Sequence, residues 1–238
     1  MREKIYEYGK IINCDCMYFM TLLKDNSIDL IATDPPYKIT ARGNAGNSGG
    51  MMQKKLSMQG KIFKHNDIKP LDYIPEFYRI LKDGSHCYIM TNHVNLQEMI
   101  NVATECGFKF IKSLIWNKGN KIMGQYYMRQ FEYILFFRKG KGKKINNCGT
   151  ADILNVPNKK LKGEDGKNLH DTEKPIELMK ILVANSSKEN DVVLEPFMGI
   201  GAVPIACKEL NRQCIAIELD KEYYNVSVNR LNAYTKSL

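Results

Sequence analysis

The chain has 238 residues, a length that one hydrophobic core serves without splitting, so a single domain over 1–238 is expected. Lys and Arg number 35 against 26 Asp and Glu, and the resulting net charge of +9 favours a polyanionic partner, with a merely solvated basic surface as the alternative. No uncharged stretch reaches the length a membrane span needs and the N-terminus carries no apolar signal core, which excludes a membrane protein and predicts a cytoplasmic one.

In chain order, a strand over 11–14 and a helix over 17–24 come first, then a strand over 28–33, a helix over 71–81, a strand over 85–91 and a helix over 94–106. Strands over 108–116 and 131–138 follow, then a helix over 175–187, a strand over 192–195, a helix over 202–210, a strand over 214–218 and a last helix over 221–233. Seven short apolar runs alternating with helix-period segments predict an α/β domain on a mostly parallel sheet. Leu178, Met179, Leu182 and Val183 form an apolar stripe behind Pro175, whose fixed φ suits a first turn, and that stripe is core.

Two stretches break the alternation. Residues 38–69 hold Gly43, Gly46, Gly49, Gly50 and Gly60 among polar residues, too little apolar content to pack, and predict a mobile loop. Residues 139–168 carry Lys-Gly-Lys-Gly-Lys-Lys and a second lysine cluster, a small basic insertion. The seven cysteines are odd in number, and Cys87, Cys207 and Cys214 sit in apolar runs, so they read as reduced thiols. Cys14-Asp15-Cys16 has no second pair to match it, so no zinc or other metal is expected.

The strand at 28–33 ends abruptly in Asp34-Pro35-Pro36-Tyr37. Ligands of open α/β sheets bind outside the carboxyl ends of the strands, so this tetrapeptide faces a cleft. Its prolines fix the backbone and donate nothing, its carboxylate accepts, and Tyr37 offers a flat face for a base. Such parts suit the grip of an amino group on a heterocycle, although a strand end with an Asp-Pro-Pro turn is common by itself.

A second motif runs strand, tight glycine loop, helix: Val192-Val193-Leu194-Glu195-Pro196-Phe197-Met198-Gly199-Ile200-Gly201-Ala202. Gly199 and Gly201 permit close approach of a ligand to the backbone, and Ala202, Ile205, Ala206 and Leu210 give the next helix an apolar face. Two glycines without a third depart from the dinucleotide fingerprint and disfavour nicotinamide or flavin. The following strand ends at Glu218, about 20 residues past the loop, where such folds place an acid on ribose hydroxyls. Asp220 is the rival, its alternative role being to open the last helix.

These paired motifs resemble those of the DNA amino-methyltransferases, whose catalytic motif is [Asn/Asp/Ser]-Pro-Pro-[Tyr/Phe/Trp] and whose cofactor motif is Phe-x-Gly-x-Gly. With the catalytic motif first, the chain is similar over nearly its whole length to the permuted β class. Asn13-Cys14-Asp15-Cys16 resembles that family's Gly-Asp-Cys turn, His170-Asp171-Thr172-Glu173-Lys174-Pro175 its His-Pro-Thr-x-Lys-Pro element, and Arg129-Gln130-Phe131-Glu132 its Arg-x-x-Glu strand entry. Glu195 replaces the usual Asp, Ile200 and Ala202 the usual Ser and Thr, and Asp171 a proline.

The resemblance implies a Rossmann-like S-adenosylmethionine-dependent methyltransferase fold, seven-stranded and mostly parallel with an antiparallel strand. It implies S-adenosyl-L-methionine held by Asp15, Cys16, Thr172, Lys174, Pro196, Phe197, Gly199, Ile200, Gly201, Ala202, Glu218 and Leu219. The implied substrate is an adenine flipped out of double-stranded DNA, with Asp34 and the Pro35 carbonyl accepting from its amino group and Tyr37 stacking on its ring. The 139–168 insertion is then the target-recognition region, and a homodimer is compatible with the reading. N4-cytosine methylation and a catalytically idle DNA-binding relative are the alternatives, the first disfavoured because the family uses Ser for cytosine where Asp34 stands. If the glycine loop opens the cofactor half, the strand that leads to Asp15 must lie beside the one that ends at Glu218, bringing the chain ends together.

Overall fold

The computed structural model describes residues 1–36, 67–122, 126–158 and 173–236. Among these the elements run β1 Arg2–Tyr6, β2 Gly9–Asn13, α1 Cys16–Thr21, β3 Ile28–Thr33, α2 Pro70–Ile80, β4 Leu81–Thr91 and α3 Leu96–Glu105. They continue β5 Lys109–Ile122, β6 Arg129–Arg138, β7 Ile153–Asn155, α4 Ile176–Ser186, β8 Val192–Glu195, α5 Ala202–Glu209, β9 Gln213–Glu218 and α6 Lys221–Lys236.

All the strands join one sheet in the order β1-β2-β9-β8-β3-β4-β6-β5-β7. The five from β2 to β4 are mutually parallel, and β6 runs antiparallel between β4 and β5. The seven expected strands and six expected helices are all present, but the sheet has nine strands rather than seven. The additions are edge strands without a burial signal. β1 is exposed along four of its five residues, and β7 is three residues long. The expected loop over 38–69 lies outside the described residues except for its last three, of which Lys69 caps α2. Among the described residues no helix is long and apolar enough to cross a membrane.

The chain ends meet as the motif order requires: β2 pairs in parallel with β9, setting Asn13 opposite Glu218. Gly9 makes this approach feasible, since its φ is +122° and a Cβ there would stand 2.1 Å from the Cys214 carbonyl oxygen. Among the described residues each face of the sheet carries three helices. Tyr73, Ile74 and Phe77 of α2 pack with Phe19, Met20, Met99 and Ala103 of α1 and α3 over one face. The predicted stripe Leu178, Met179, Leu182 and Val183 of α4 covers the other with Ile205, Ala206 and Leu231 of α5 and α6.

From β3 the chain crosses through α2 to β4, and from β8 it crosses through α5 to β9 on the opposite face. The connections therefore diverge between β3 and β8, and a crevice opens there at the carboxyl ends of the strands. Both sequence motifs end at this point.

Candidate active site

Read along the carboxyl edge, Asp15 follows β2, Glu218 ends β9, Glu195 ends β8 and Asp34 follows β3. At about 4.8 Å per strand, Asp34 and Glu218 stand two strands apart, about 10 Å, a span that suits an extended nucleoside-bearing cofactor. Of the expected site residues, Tyr37 and Thr172 lie outside the described residues, as do His170 and Asp171.

Pro35 is buried, and the Asp34 side chain is 19% exposed. Its Oδ2 accepts a hydrogen bond from the Lys174 ammonium, itself buried, while Oδ1 is buried and has no hydrogen-bond partner among the described residues. A buried acceptor left unmatched costs roughly 1–3 kcal/mol, which is tolerable where a ligand supplies the donor. Burial lifts the Asp34 carboxyl above its ordinary range, opposed by Lys174 and reinforced by Glu132. Burial also works against the Lys174 charge, but the carboxylates of Asp34 and Glu132 outweigh it and hold the ammonium above the usual lysine range.

The glycine loop is built for close approach. Gly199 and Gly201 take φ values of 57° and 88°, and Gly201 caps α5 in the left-handed region. The loop is moored to its neighbours by the Met198 N–H on the Ile217 carbonyl at 2.8 Å, and by Arg230 of α6, which donates to the Ile200 carbonyl at 3.1 Å. Arg230 also pairs with Glu173 at 2.8 Å, so one guanidinium joins the cofactor loop to the segment bearing Lys174. Pro196, Ile200 and Ala202 are buried, and Phe197 is partly exposed with its ring edge-on to Tyr73 at 5.4 Å.

Glu218 accepts from the Gly199 N–H and the Asp220 N–H, both at 2.8 Å, which aims its carboxylate at the loop. Asp220 instead caps α6 through the N–H groups of Glu222 and Tyr223, the role foreseen as its alternative. Beside Glu218, Leu219 is 47% exposed. Asp15 is exposed and caps α1 by accepting from the Met17 N–H at 2.7 Å, and Cys16 is buried, its thiol pushed up to about 12 by burial. These residues fit S-adenosylmethionine: a carboxylate for hydroxyls, an exposed apolar face beside it, and a glycine backbone with no side chain to block approach.

Glu195, 4% exposed, accepts from Thr33 Oγ1 at 2.5 Å and from the Phe197 N–H at 3.0 Å, tying the ends of β3 and β8. Burial pushes its carboxyl up to about 8 from an ordinary value of 4.5. Because the folded state holds this proton more tightly than the unfolded chain, its contribution is complete below pH 4.5 and is lost as pH rises through 8. Glu195→Gln is therefore expected to melt higher than the wild type at pH 9 and close to it at pH 5. Parallel losses of melting temperature with pH in the two proteins would refute that assignment.

Sequence reasoning gave Glu132 no role and did not consider Lys118 or Arg230. Lys118 on β5 pairs with Glu132 on β6, whose other oxygen is 3.7 Å from Lys174. The sequence signal is partial: Glu132 lies in the Arg-x-x-Glu strand entry, but Lys118 meets it only through the register that sets Trp116 opposite Glu132.

A doubly wound sheet with a glycine loop and the strand-end carboxylate of Glu218 on one side of its switch point, and an Asp-Pro-Pro turn on the other, defines a Rossmann-like S-adenosylmethionine-dependent methyltransferase fold. The chain belongs to the DNA methylase family: that family's model, of N6 and N4 methyltransferases, matches residues 28–229. It is 29% identical over 255 aligned residues to the type II methyltransferase M.HinfI of Haemophilus influenzae, covering 97% of this chain and 70% of that one. It is 27% identical to the type II methyltransferase M2.DpnII of Streptococcus pneumoniae, covering 98% and 94%. The crystal structure of the M1.HpyAVI–SAM complex superposes with a TM-score of 0.67 at 24% identity over 92% of this chain and 98% of that one. The cytosine-N4-specific PvuII DNA methyltransferase superposes at 0.72 with 15% identity, covering 95% and 87%.

Proposed function

We propose that this protein transfers a methyl group from S-adenosyl-L-methionine to the N6 amino group of adenine in DNA. The observation that carries the reading is Asp34 Oδ1, a buried acceptor without a donor among the described residues, at the carboxyl end of β3 by the crevice. Since an N4-cytosine enzyme shares the fold, the choice of base rests on Asp34 itself, which stands where the cytosine enzymes of the family use serine.

The cofactor supplies its methyl group as an electrophilic sulfonium. Glu218 would hold ribose hydroxyls, Leu219 and the Asp15-Cys16 turn the adenine end, and the 197–202 loop with Lys174 the methionine end. Asp34 Oδ1 accepts one amino hydrogen and the Pro35 carbonyl the other, which turns the nitrogen lone pair out of conjugation with the ring. The protein thus contributes orientation and placed acceptors. The target adenine must leave the helix to reach Asp34, and Tyr37 is the ring it would stack on.

DNA contact belongs on the same edge as Asp34. The basic insertion begins on the opposite edge, where Lys139 leaves β6 and donates to the Tyr78 and Leu81 carbonyls at 2.6 and 2.8 Å. It returns to the edge of Asp34 by Val156 and Asn158, whose N–H groups bond the carbonyls of Asn117 and Lys118. We therefore assign recognition to the second half of the insertion. Beside it, Tyr126 and Tyr127 between β5 and β6 are 88% and 91% exposed with Arg129 next to them, a pairing of aromatic faces and positive charge suited to bases and phosphates. The type II relatives support a role in restriction–modification, and such a role on DNA places the protein in the cytoplasm.

The test is transfer of labelled methyl groups from S-adenosylmethionine to DNA lacking the modification, followed by nucleoside analysis. N6-methyladenine is expected; N4-methylcytosine as the sole product would overturn the choice of base, and no labelled nucleoside the activity itself.

A further inference from the structure

We propose that Glu132 and Lys118 are positioning residues for the transfer, acting through Lys174 to keep Asp34 Oδ2 occupied and Oδ1 turned towards the incoming amino group. This rests on the methyl-transfer reading above and adds to it two residues that do not touch the substrate.

Four charged groups of alternating sign run through the protein edge of the crevice. Lys118 Nζ donates to Glu132 Oε1, Glu132 Oε2 stands 3.7 Å from Lys174 Nζ, and Lys174 Nζ donates to Asp34 Oδ2. They come from β5, β6, the approach to α4 and the end of β3, with side-chain exposures of 10%, 19%, 7% and 19%. Lys118 is held in turn with its ammonium 4.8 Å from the centre of the Trp116 ring, whose indole N–H donates to the Val156 carbonyl at 2.8 Å.

Burying four charges is a poor way to gain stability, because desolvation offsets most of the Coulombic attraction. What such an arrangement does supply is direction. Lysine is a compact charge on a flexible four-carbon stem, and a single carboxylate would leave its head free to swing. With Glu132 on one side and Asp34 on the other, the head of Lys174 is fixed between them, and Lys118 neutralises the second carboxylate. The set sums to zero charge, so Asp34 keeps its acceptor without a net field across the site. Because Tyr126 and Tyr127 lie between β5 and β6, the strands that flank this DNA-facing pair are the ones that aim Asp34.

The groups facing Asp34 are Lys174, Glu132 and Lys118, with Glu195 from β8 and Tyr73 from α2. Glu132 raises the proton affinity of Asp34 and Lys118 lowers it. Glu132→Gln should therefore move the acidic limb of the kcat/KM profile to lower pH, and Lys118→Met should move it to higher pH. Each should lower kcat, by up to about 10²-fold for a misplacement near 1 Å, with KM for DNA little changed. Opposite movements from adjacent residues would not follow from a general loosening of the hairpin.

The charge-retaining variants Glu132→Asp and Lys118→Arg should leave the limb where it is in the wild type and lose less of kcat; they also serve if a neutral variant does not fold. Wild-type kcat with an unmoved limb in the neutral variants would overturn the proposal, as would a limb that moves the same way in both or a loss confined to KM. A wild-type protein that transfers no methyl group would instead sink the functional reading on which the proposal stands.

Discussion

Asp34→Ala is expected to lower kcat for methyl transfer by about 10³-fold while the protein still binds S-adenosylmethionine, the scale seen when one preorganised polar contact to a reacting group is removed. The residue stands about two strand spacings from Glu218, so its truncation leaves the Glu218 side of the crevice intact. Its Oδ1 is a buried acceptor without a donor among the described residues, and its Oδ2 anchors Lys174. Loss of the side chain removes both the grip on the amino group and one of the two carboxylates around the lysine. Glu132 at 3.7 Å remains, so the fold should survive with a modest loss of stability. Asp34→Asn keeps an oxygen for the amino group but loses the charge that pairs with Lys174, and an intermediate rate is expected. Single-turnover kinetics with labelled cofactor, together with calorimetric titration of the cofactor, separate the two effects. A wild-type rate in the alanine variant would remove Asp34 from the chemistry, and lost cofactor binding would make it a structural residue.

Much of this site was readable from local pattern because local pattern created it. The run Ile28–Thr33 is buried almost throughout, and the Asp-Pro-Pro that follows cannot continue a strand, so the strand had to end where it does. Gly199 and Gly201 marked a loop because both take backbone angles that favour glycine. Even the pairing of β2 with β9 followed from motif order, since the cofactor half lacked a strand that only the N-terminus had left to supply.

The rest depended on partners distant in sequence. Lys118 meets Glu132 through an antiparallel register interrupted between Asn117 and Ile122, and a shift of one residue would have put the two on opposite faces. Lys139 opens a lysine run that reads as a solvated or DNA-facing surface, yet its ammonium is tied to backbone carbonyls between α2 and β4, a contact no periodicity announces. β1 and β7 pair at the two edges of the sheet, where one strand face or end stays wet and the hydrophobic pattern fades.

Arg230→Met should show how far the cofactor loop depends on such a distant partner. Arg230 lies midway along α6, yet its side chain is only 11% exposed and that of Glu173 4%. Removing one member of a buried ion pair typically costs about 3 kcal/mol or more, because the remaining charge keeps its desolvation penalty. For a domain of this size that corresponds to a melting temperature lower by roughly 6–12 °C. The same guanidinium holds the Ile200 carbonyl, so the loop should loosen and the Kd for S-adenosylmethionine rise, while the Asp34–Lys174 contact loses the anchor of the neighbouring Glu173. Adding Glu173→Gln to Arg230→Met removes the stranded charge and should restore most of the melting temperature without restoring cofactor affinity, since Ile200 still lacks its donor. Recovery of both together would mean that the pair acts only through global stability; recovery of neither would mean that α6 packs against the loop by contacts other than this one.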